Sequence, residues 1–433
     1  MRIAVWHNLP SGGGKRALYY HVRGLVERGH TVEAWCPPTA DRSFLPLAQL
    51  VPERVVPLTW EPKRRRGPVT RAWANYKNVV DKLAALDRHC RQCAVEIERG
   101  GFDILFANGD RDFAISPIGR HVRLPSALYL QEPYRPLYEA MPQLPWLALP
   151  GPKQFSPAYL IKFLHNLVKV QGARAQAREE VLNAQAFDTI LVNSHFSRES
   201  ILRAYGLDAT VCYLGVDLDL FRSHDLQREG FVLGLGSFTP SKGVRIVIEA
   251  INRMEKPRPR LVWVGNASQL DFLEEMKSLA RSLEVDLQPR LQVTDEELVD
   301  LLNRAGVLAY APRLEPFGFA PIEANACGLA AVVVPEGGVR ETVIDGVNGL
   351  WADHDPASLA NALYRLLSDG NYAARLGEQG RQMAREKWSL AGAIDRLERR
   401  LLETIEKARR ERPGYTGGLP SGTPQVHPPR KNE

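Results

Sequence analysis

The sequence predicts an α/β protein of two doubly wound parallel-sheet domains facing each other across a cleft. Three observations carry that prediction. Short apolar runs alternate with longer helical patterns along the chain, the signature of strands joined by crossover helices. A charged patch, RSHDLQREG, interrupts the alternation, which then starts afresh. At 433 residues, with 44% apolar and 24% charged, the chain is an ordinary globular sequence long enough for two or three domains.

The first series opens with RIAVWH as a strand and SGGGKRALYYHVRGLVERGH as a glycine loop and helix. TVEAWC, FDILFA and SALYLQ continue it, so residues 1–187 are expected to form an N-terminal domain with an insertion at about 141–175. A strand–helix–strand phrase, FDTILVNSHFSRESILRAYGLDATVCYLGVDLDLF, begins near residue 188. It makes 188–229 the last elements of that domain plus the linker, with the junction near 217 to 230. FVLGLG, RLVWVG, VDLQP, GVLAYA and AAVVVP form the second series, over 230–387. A terminal helix at 388–410 is expected to pack back on the first domain. Residues 411–433, PGYTGGLPSGTPQVHPPRKNE at their core, read as a disordered tail.

Inside the insertion, MPQLPWLALPGPKQFSP reads as a mobile loop. The helix after it is apolar at 159, 160, 163, 164, 167 and 168, with Lys162 and Lys169 flanking the stripe. Such a stripe either faces its own domain or lies on a membrane surface or a lipid acceptor.

Composition excludes several classes. No run of about 18 apolar residues exists, so no spanning helix is expected. MRIAVWHN meets a histidine too early for a signal-peptide core. Five cysteines are no disulfide framework, and Cys90 and Cys93 lack the second pair a zinc site needs. A cytoplasmic protein, peripheral on the inner face of the membrane, is the expectation. Part of the +6 net charge sits in Lys63, Arg64, Arg65 and Arg66. Without aromatic interleaving or a zinc-finger or RRM signature, nucleic acid is not the expected partner. An anionic membrane surface or a phosphorylated substrate is.

Ligands of open parallel sheets bind beyond the carboxyl ends of the strands. Glycine-bearing loops fall there in both series: Gly12, Gly13 and Gly14 in the first, Gly236, Lys242 and Gly243 in the second. Glycine lets backbone approach a ligand, and the next helix start favours phosphate. GSFTPSKGV lacks the G-K-[ST] order of a nucleotide-hydrolase loop. The most informative stretch is EPFGFAPIEANACGLAAVVVPEGGVRE. Glu315 follows a buried strand, Pro316 and Gly318 turn the chain, and a helix starts near Phe319. Glu323 falls about one turn inside it, roughly 5–6 Å along. The two carboxylates therefore flank backbone amides, an arrangement suited to a ligand with hydroxyls at both ends and phosphate between. A nucleotide sugar is such a ligand, gripped in a crevice expected to be positively biased.

These motifs resemble the retaining glycosyltransferases of family four, whose GT-B fold is two facing Rossmann-like domains. EPFGFAPIEANACGLAAVVVPEGG resembles the family's E-x7-E segment, and VNSHFSRESI, YLGVDLDLF, GLGSFTPSKGV and VIDGVNGLW resemble its neighbouring segments. The likeness runs mainly from 188 to 390. It implies retaining, metal-independent hexosyl transfer from a nucleotide diphosphate donor such as GDP-mannose or UDP-glucose, with no cofactor. It implies same-face displacement, with the departing phosphate taking the acceptor's proton. Glu323 would bind the ribose, Glu315 the sugar hydroxyls, and Lys242 the leaving diphosphate. Amides from Phe317, Gly318 and Phe319 would assist, and Gly13 and Gly14 would approach from the other domain. The acceptor would be a saccharide or lipid-linked saccharide. Two positions depart from the pattern. Ser237 stands where an arginine is usual, which leaves Arg245, Arg313 or Arg340 as substitutes. Gln131 stands where a histidine precedes Glu-Pro, and it cannot carry a proton charge. His195 sits where arginine is commoner, and His7 reads as structural. These departures motivate the alternative of a degenerate transferase that binds without turnover. A sugar-nucleotide epimerase is a third reading, against which the E-x7-E segment argues.

Overall fold

A computed structural model describes residues 1–63, 68–139, 147, 149–152, 155–224, 226–265 and 269–412. Arg64, Arg65 and Arg66, most of the proline-rich stretch 141–154 and the tail from 413 onward lie outside the described residues.

The first sheet has seven strands: β1 (Arg2–Asn8), β2 (Thr31–Cys36), β3 (Glu53–Val55), β4 (Ile104–Asp110), β5 (Ser126–Tyr129), β6 (Thr189–Val192) and β7 (Thr210–Val211). Their order is β3-β2-β1-β4-β5-β6-β7 and every pairing is parallel. The second has six: β8 (Val232–Leu235), β9 (Leu261–Gly265), β10 (Leu287–Leu291), β11 (Val307–Tyr310), β12 (Ala331–Val333) and β13 (Gly349–Trp351), in the order β10-β9-β8-β11-β12-β13, again all parallel. Both orders reverse at the first strand, so each sheet has a switch point where ligands bind. Helices cover both faces. The strands are therefore continuous apolar runs rather than alternating ones: six of the seven β1 residues are buried. The two sheets form the two lobes of a GT-B architecture, as expected.

The strands that periodicity did not reveal, β3 and β13, are three residues long and lie at a sheet end. Pairing Ala34 with Glu53 and Cys36 with Val55 makes ERV a strand. Nothing in its own composition would.

The chain crosses between the lobes twice at one place. Val216 N–H donates to the Trp388 carbonyl at 2.7 Å, and Leu390 N–H returns to the Val216 carbonyl at 2.9 Å. After the second crossing the helix Leu390–Glu411 runs along the first lobe. Its Ile394 fills the space over Gly24, and Glu398 takes Arg28 at 2.7 Å and His30 at 2.9 Å. Tyr213, Phe317 and Trp388 pack together at this hinge, Trp388 edge-to-face with each of the other two, with ring centroids 5.2–6.4 Å apart.

The helix Pro157–Gln185 divides in two. Its C-terminal half packs on the long helix Pro68–Arg99, Gly172 meeting Val79. The apolar stripe on its N-terminal half does not face its own lobe: Leu160, Ile161, Phe163, Leu164 and Leu167 are 41–48% exposed. Cys90 and Cys93 are buried, free thiols on the long helix.

The helix Gly370–Lys387 supports the helix Phe319–Ala326 through a glycine contact. A Cβ at Gly377 would lie 2.1 Å from the Gly328 carbonyl oxygen. Gly377→Ala must part these segments, and we expect a loss of about 1–3 kcal/mol in chemical denaturation.

Candidate functional site

The site is built where the ends of the second-lobe strands meet the first helix of the other lobe. After β11, Leu314 adopts a left-handed φ of 48° and Gly318 one of 99°. These turn the chain sharply into the helix Phe319–Ala326, whose N-cap, Gly318, offers no side chain. Its first N–H groups lack helical partners and carry the partial positive end of the dipole. The loop after β12 closes over the turn. Gly338 N–H donates to the Glu315 carbonyl at 2.7 Å, and a Cβ there would sit 2.0 Å from the Pro316 oxygen. Backbone this close excludes any side chain, which is why the glycines of PEGG follow the strand.

Glu315 accepts from Lys242 Nζ at 2.8 Å. Lys242 closes a short 3-10 turn, Pro240–Lys242, with its stem 3.2–3.3 Å from the Cβ position of Gly236. Glu323 is buried on the helix face, and burial raises its carboxyl above the ordinary value. Opposing that shift is Arg16 from the first lobe, whose Nε stands 3.9 Å from Glu323 Oε1. The same guanidinium donates to both oxygens of Asp295, at 2.6 and 3.2 Å, and to Tyr20 Oη at 3.0 Å. Asp295 and its neighbours start the helix Asp295–Arg304, which carries a Thr294–Glu297 capping box.

The first lobe contributes its glycine loop. A Cβ on Gly13 would lie 3.8 Å from the Phe319 ring, and one on Gly14 would lie 3.4 Å from the Gln131 amide. Gly13, Gly14, Gln131 and Phe319 therefore meet at one place across the gap. The lobes are tied beside them. Ser194 Oγ donates to the Pro316 carbonyl at 2.5 Å, and Arg135 Nη2 to the Arg313 carbonyl at 2.9 Å. Glu341 accepts from the His195 and Phe196 N–H groups and from Tyr213 Oη. Next to Gln131, burial and the nearby Glu315 push the Glu132 carboxyl up to about 7, against the lowering effect of Arg135 and Lys242.

Two expectations need correction. Arg245 does not replace the arginine absent at position 237. Its guanidinium is exposed and paired with Glu275 and, at 4.0 Å, with Glu249 on its own helix. Among the described residues no hydrogen bond or ion pair joins it to Lys242, Glu315 or Glu323. Arg313 is likewise held by Glu336 at 2.6 Å. Half-buried Ser237 leaves that place without charge. The crevice is also not positively biased by its side chains. Lys242, Arg16 and Arg135 face Glu315, Glu323, Asp295, Glu132 and Glu139. The Phe317 ring is buried in the hinge aromatics, so only its backbone remains for a ligand.

Arg16, Asp295 and Ser194 escaped sequence reasoning. Arg16 directly follows SGGGK, and Asp295 stands in a capping-box sequence, but nothing local shows that 279 residues of separation close to an ion pair. One cluster of metal-ligand type exists among the described residues: His7, Cys36 and Glu53, with donor atoms within 4.8 Å of one another. It is buried at the carboxyl ends of β1 and β2, beside Lys15 of the first helix. Burial pushes the Cys36 thiol up to about 12, and the buried Lys15 ammonium acts on all three. That chemistry suits a hydrogen-bonded network, with His7 Nε2 on Glu53 at 3.2 Å, better than a cation.

The comparisons with known proteins agree with this fold. The description "Glycosyltransferase Family 4" matches residues 11–220, and "Glycosyl transferases group 1" matches 218–383. The chain belongs to glycosyltransferase family four. Among curated relatives it is 28% identical to a D-inositol 3-phosphate glycosyltransferase of Xylanimonas cellulosilytica over 59% of this chain and 67% of the relative. It is 31% identical to one of Catenulispora acidiphila over 58% and 66%. The family four chain thus spans about two thirds, or less, of the length of such relatives. Among solved structures, Anabaena HepE with UDP and glucose superposes with a TM-score of 0.69 at 18% identity, covering 93% of this chain and 99% of that one. Sucrose-phosphate synthase of Thermosynechococcus elongatus gives 0.66, also at 18%, over 93% and 99%. At these identities the likeness is one of fold.

Ser194 is both N-cap of the helix His195–Tyr205 and an inter-lobe donor. Ser194→Ala removes both bonds and leaves the Pro316 carbonyl short of a partner. We expect a loss of about 1–2 kcal/mol in thermal or urea denaturation.

Proposed function

We propose that this protein is a retaining, metal-independent glycosyltransferase that moves a hexose from a nucleoside diphosphate to a saccharide or lipid-linked acceptor. The observation that supports it most is the pair Glu315 and Glu323 on either side of one open helix start, each answered by a cation. In this reading Glu323 accepts the ribose hydroxyls. The helix-start amides and Lys242 take the diphosphate, and Glu315 holds hydroxyls of the sugar. Lys242 and the amides act where negative charge grows as the anomeric C–O bond breaks. The acceptor oxygen attaches to the same face, and no protein nucleophile is required. No cofactor enters.

Donor identity rests on the base pocket. The solved HepE complex holds UDP and glucose, which places UDP-glucose first in a donor panel and GDP-mannose beside it. Transfer from one donor is the expected result. Donor binding with neither transfer nor hydrolysis across the panel would favour the binding-only alternative. With the active donor, Lys242→Ala and Glu323→Ala should each lower kcat/KM by about 10²–10³. Arg245→Ala should stay within about twofold, because its partners are exposed. Equal effects of all three would undo the site assignment.

The exposed stripe on the helix Pro157–Gln185 supports contact with an anionic membrane carrying the acceptor. Five apolar side chains stand in water there, with Lys162 and Lys169 beside them, a composition suited to lying in a lipid interface. No described helix is long and apolar enough to cross a membrane. In flotation with anionic liposomes at low salt the protein should rise with the lipid. Leu160→Glu with Leu164→Glu should leave it at the bottom, and equal behaviour would remove the contact.

A further inference from the structure

Arg16 spans the cleft at its Glu323 end, yet its short bonds go past that acid. It stands in the first turn of the helix Gly13–Glu27, directly after the glycine loop. Its Nη2 donates to Asp295 Oδ1 at 2.6 Å and its Nη1 to Oδ2 at 3.2 Å, a two-pronged bond between the lobes. Glu323 Oε1 lies 3.9 Å from Nε, outside hydrogen-bond range. Both ends of the Asp295 bond are fixed in advance. On the first lobe, Nη1 also donates to Tyr20 Oη at 3.0 Å, and the rings of Phe44 and Phe221 lie 5.6 and 5.9 Å from the guanidinium carbon. On the second lobe, the Thr294–Glu297 capping box anchors the helix start that bears Asp295. A pair so prepared forms at little further cost in ordering.

The pair covers what a nucleoside would need. The Glu323 side chain is 8% exposed, beneath an Arg16 side chain that is itself 10% exposed. A ribose that sets its hydroxyls on Glu323 must first move that guanidinium aside. The pair can also part without rearranging the chain. At the hinge the lobes are joined backbone to backbone, between Val216 and Trp388. Arg16 and Asp295 meet through side chains alone.

We propose that the Arg16–Asp295 ion pair is a latch that holds the nucleoside end of the cleft shut in the unliganded protein and parts to admit the donor. This rests on the transferase reading above, which gives Glu323 to the ribose, and adds control of entry to it. A nucleotide then binds only the fraction of molecules whose latch is open. Its apparent affinity and its rate of entry are both reduced by that fraction. Removing either partner of the pair should lift the restraint. The two partners carry opposite charges, so an acceleration shared by both removals cannot come from a change in net charge.

The test follows the binding of UDP and of GDP by stopped-flow tryptophan fluorescence, in wild type, Asp295→Ala, Arg16→Ala and the double variant. We expect Asp295→Ala to speed association by about tenfold or more, the inverse of the open fraction. Arg16→Ala should act in the same direction, and the double variant should go no further, because either loss breaks the same pair. Asp295→Ala within about twofold of wild type overturns the latch. So does a double variant whose acceleration is the product of the two single ones. If Arg16→Ala fails to fold, Asp295→Ala is compared with Glu296→Ala, which removes the neighbouring exposed charge and leaves the pair intact. Acceleration by Asp295→Ala alone supports the latch, and equal acceleration by both overturns it. Variants that bind where wild type does not also support it. Wild type and variants that all bind neither nucleotide sink the donor reading and the latch with it. Wild type that binds, with Asp295→Ala no faster, sinks the latch alone.

Discussion

The Glu323 carboxylate depends on Arg16. A carboxyl this deeply buried on an apolar helix tends to hold its proton, because desolvation penalises the charge. Arg16, on the first helix of the opposite lobe, counters that by standing 3.9 Å away. Its own charge is kept by Asp295 and by the faces of Tyr20, Phe44 and Phe221. The acid of the second lobe is thus answered by a cation of the first.

That coupling explains why the lobes are joined so thoroughly on one side of the cleft. Two chain crossings hydrogen-bond to each other at Val216 and Trp388, and three aromatic rings fill the space beneath them. Ser194 and Arg135 add bonds directly to the backbone on either side of Glu315. The Ser194 and Arg135 bonds use carbonyls of the segment 313–316, and the aromatic cluster uses the ring at 317. The strand-to-helix turn that bears the two acids is therefore positioned by the other lobe as much as by its own sheet.

Sequence reasoning reached one half of this. The alternation of runs gave both parallel sheets because strands such as β1 and β8 are apolar on both faces and long enough to register. β3 was invisible, since a three-residue charged strand is made by its neighbour. Glu315, Lys242, Gln131, Gly13 and Gly14 could be found because glycine and proline punctuate the loops that carry them. Arg16 and Asp295 could not, because a long-range ion pair leaves no local pattern. Arg245 misled for the same reason: proximity in sequence to Lys242 says nothing about which side of a helix carries the side chain.

The charge balance of the cleft decides how an anion would be held there. Five carboxylates against three cations give no net attraction to a diphosphate, and Ser237 removes the cation that would have offset this. Lys242 is already bonded to Glu315, so a phosphate gains its full charge only if Glu315 exchanges that bond for a sugar hydroxyl. Donor phosphate and donor sugar would then be recognised together, since neither frees its partner alone. The helix-start amides at Gly318 to Ala320 have no such competitor. Backbone dipoles fixed by the turn, rather than side-chain charge, would supply the first grip on the phosphates. Such dipoles are less exposed to screening by salt than a field of surface lysines would be.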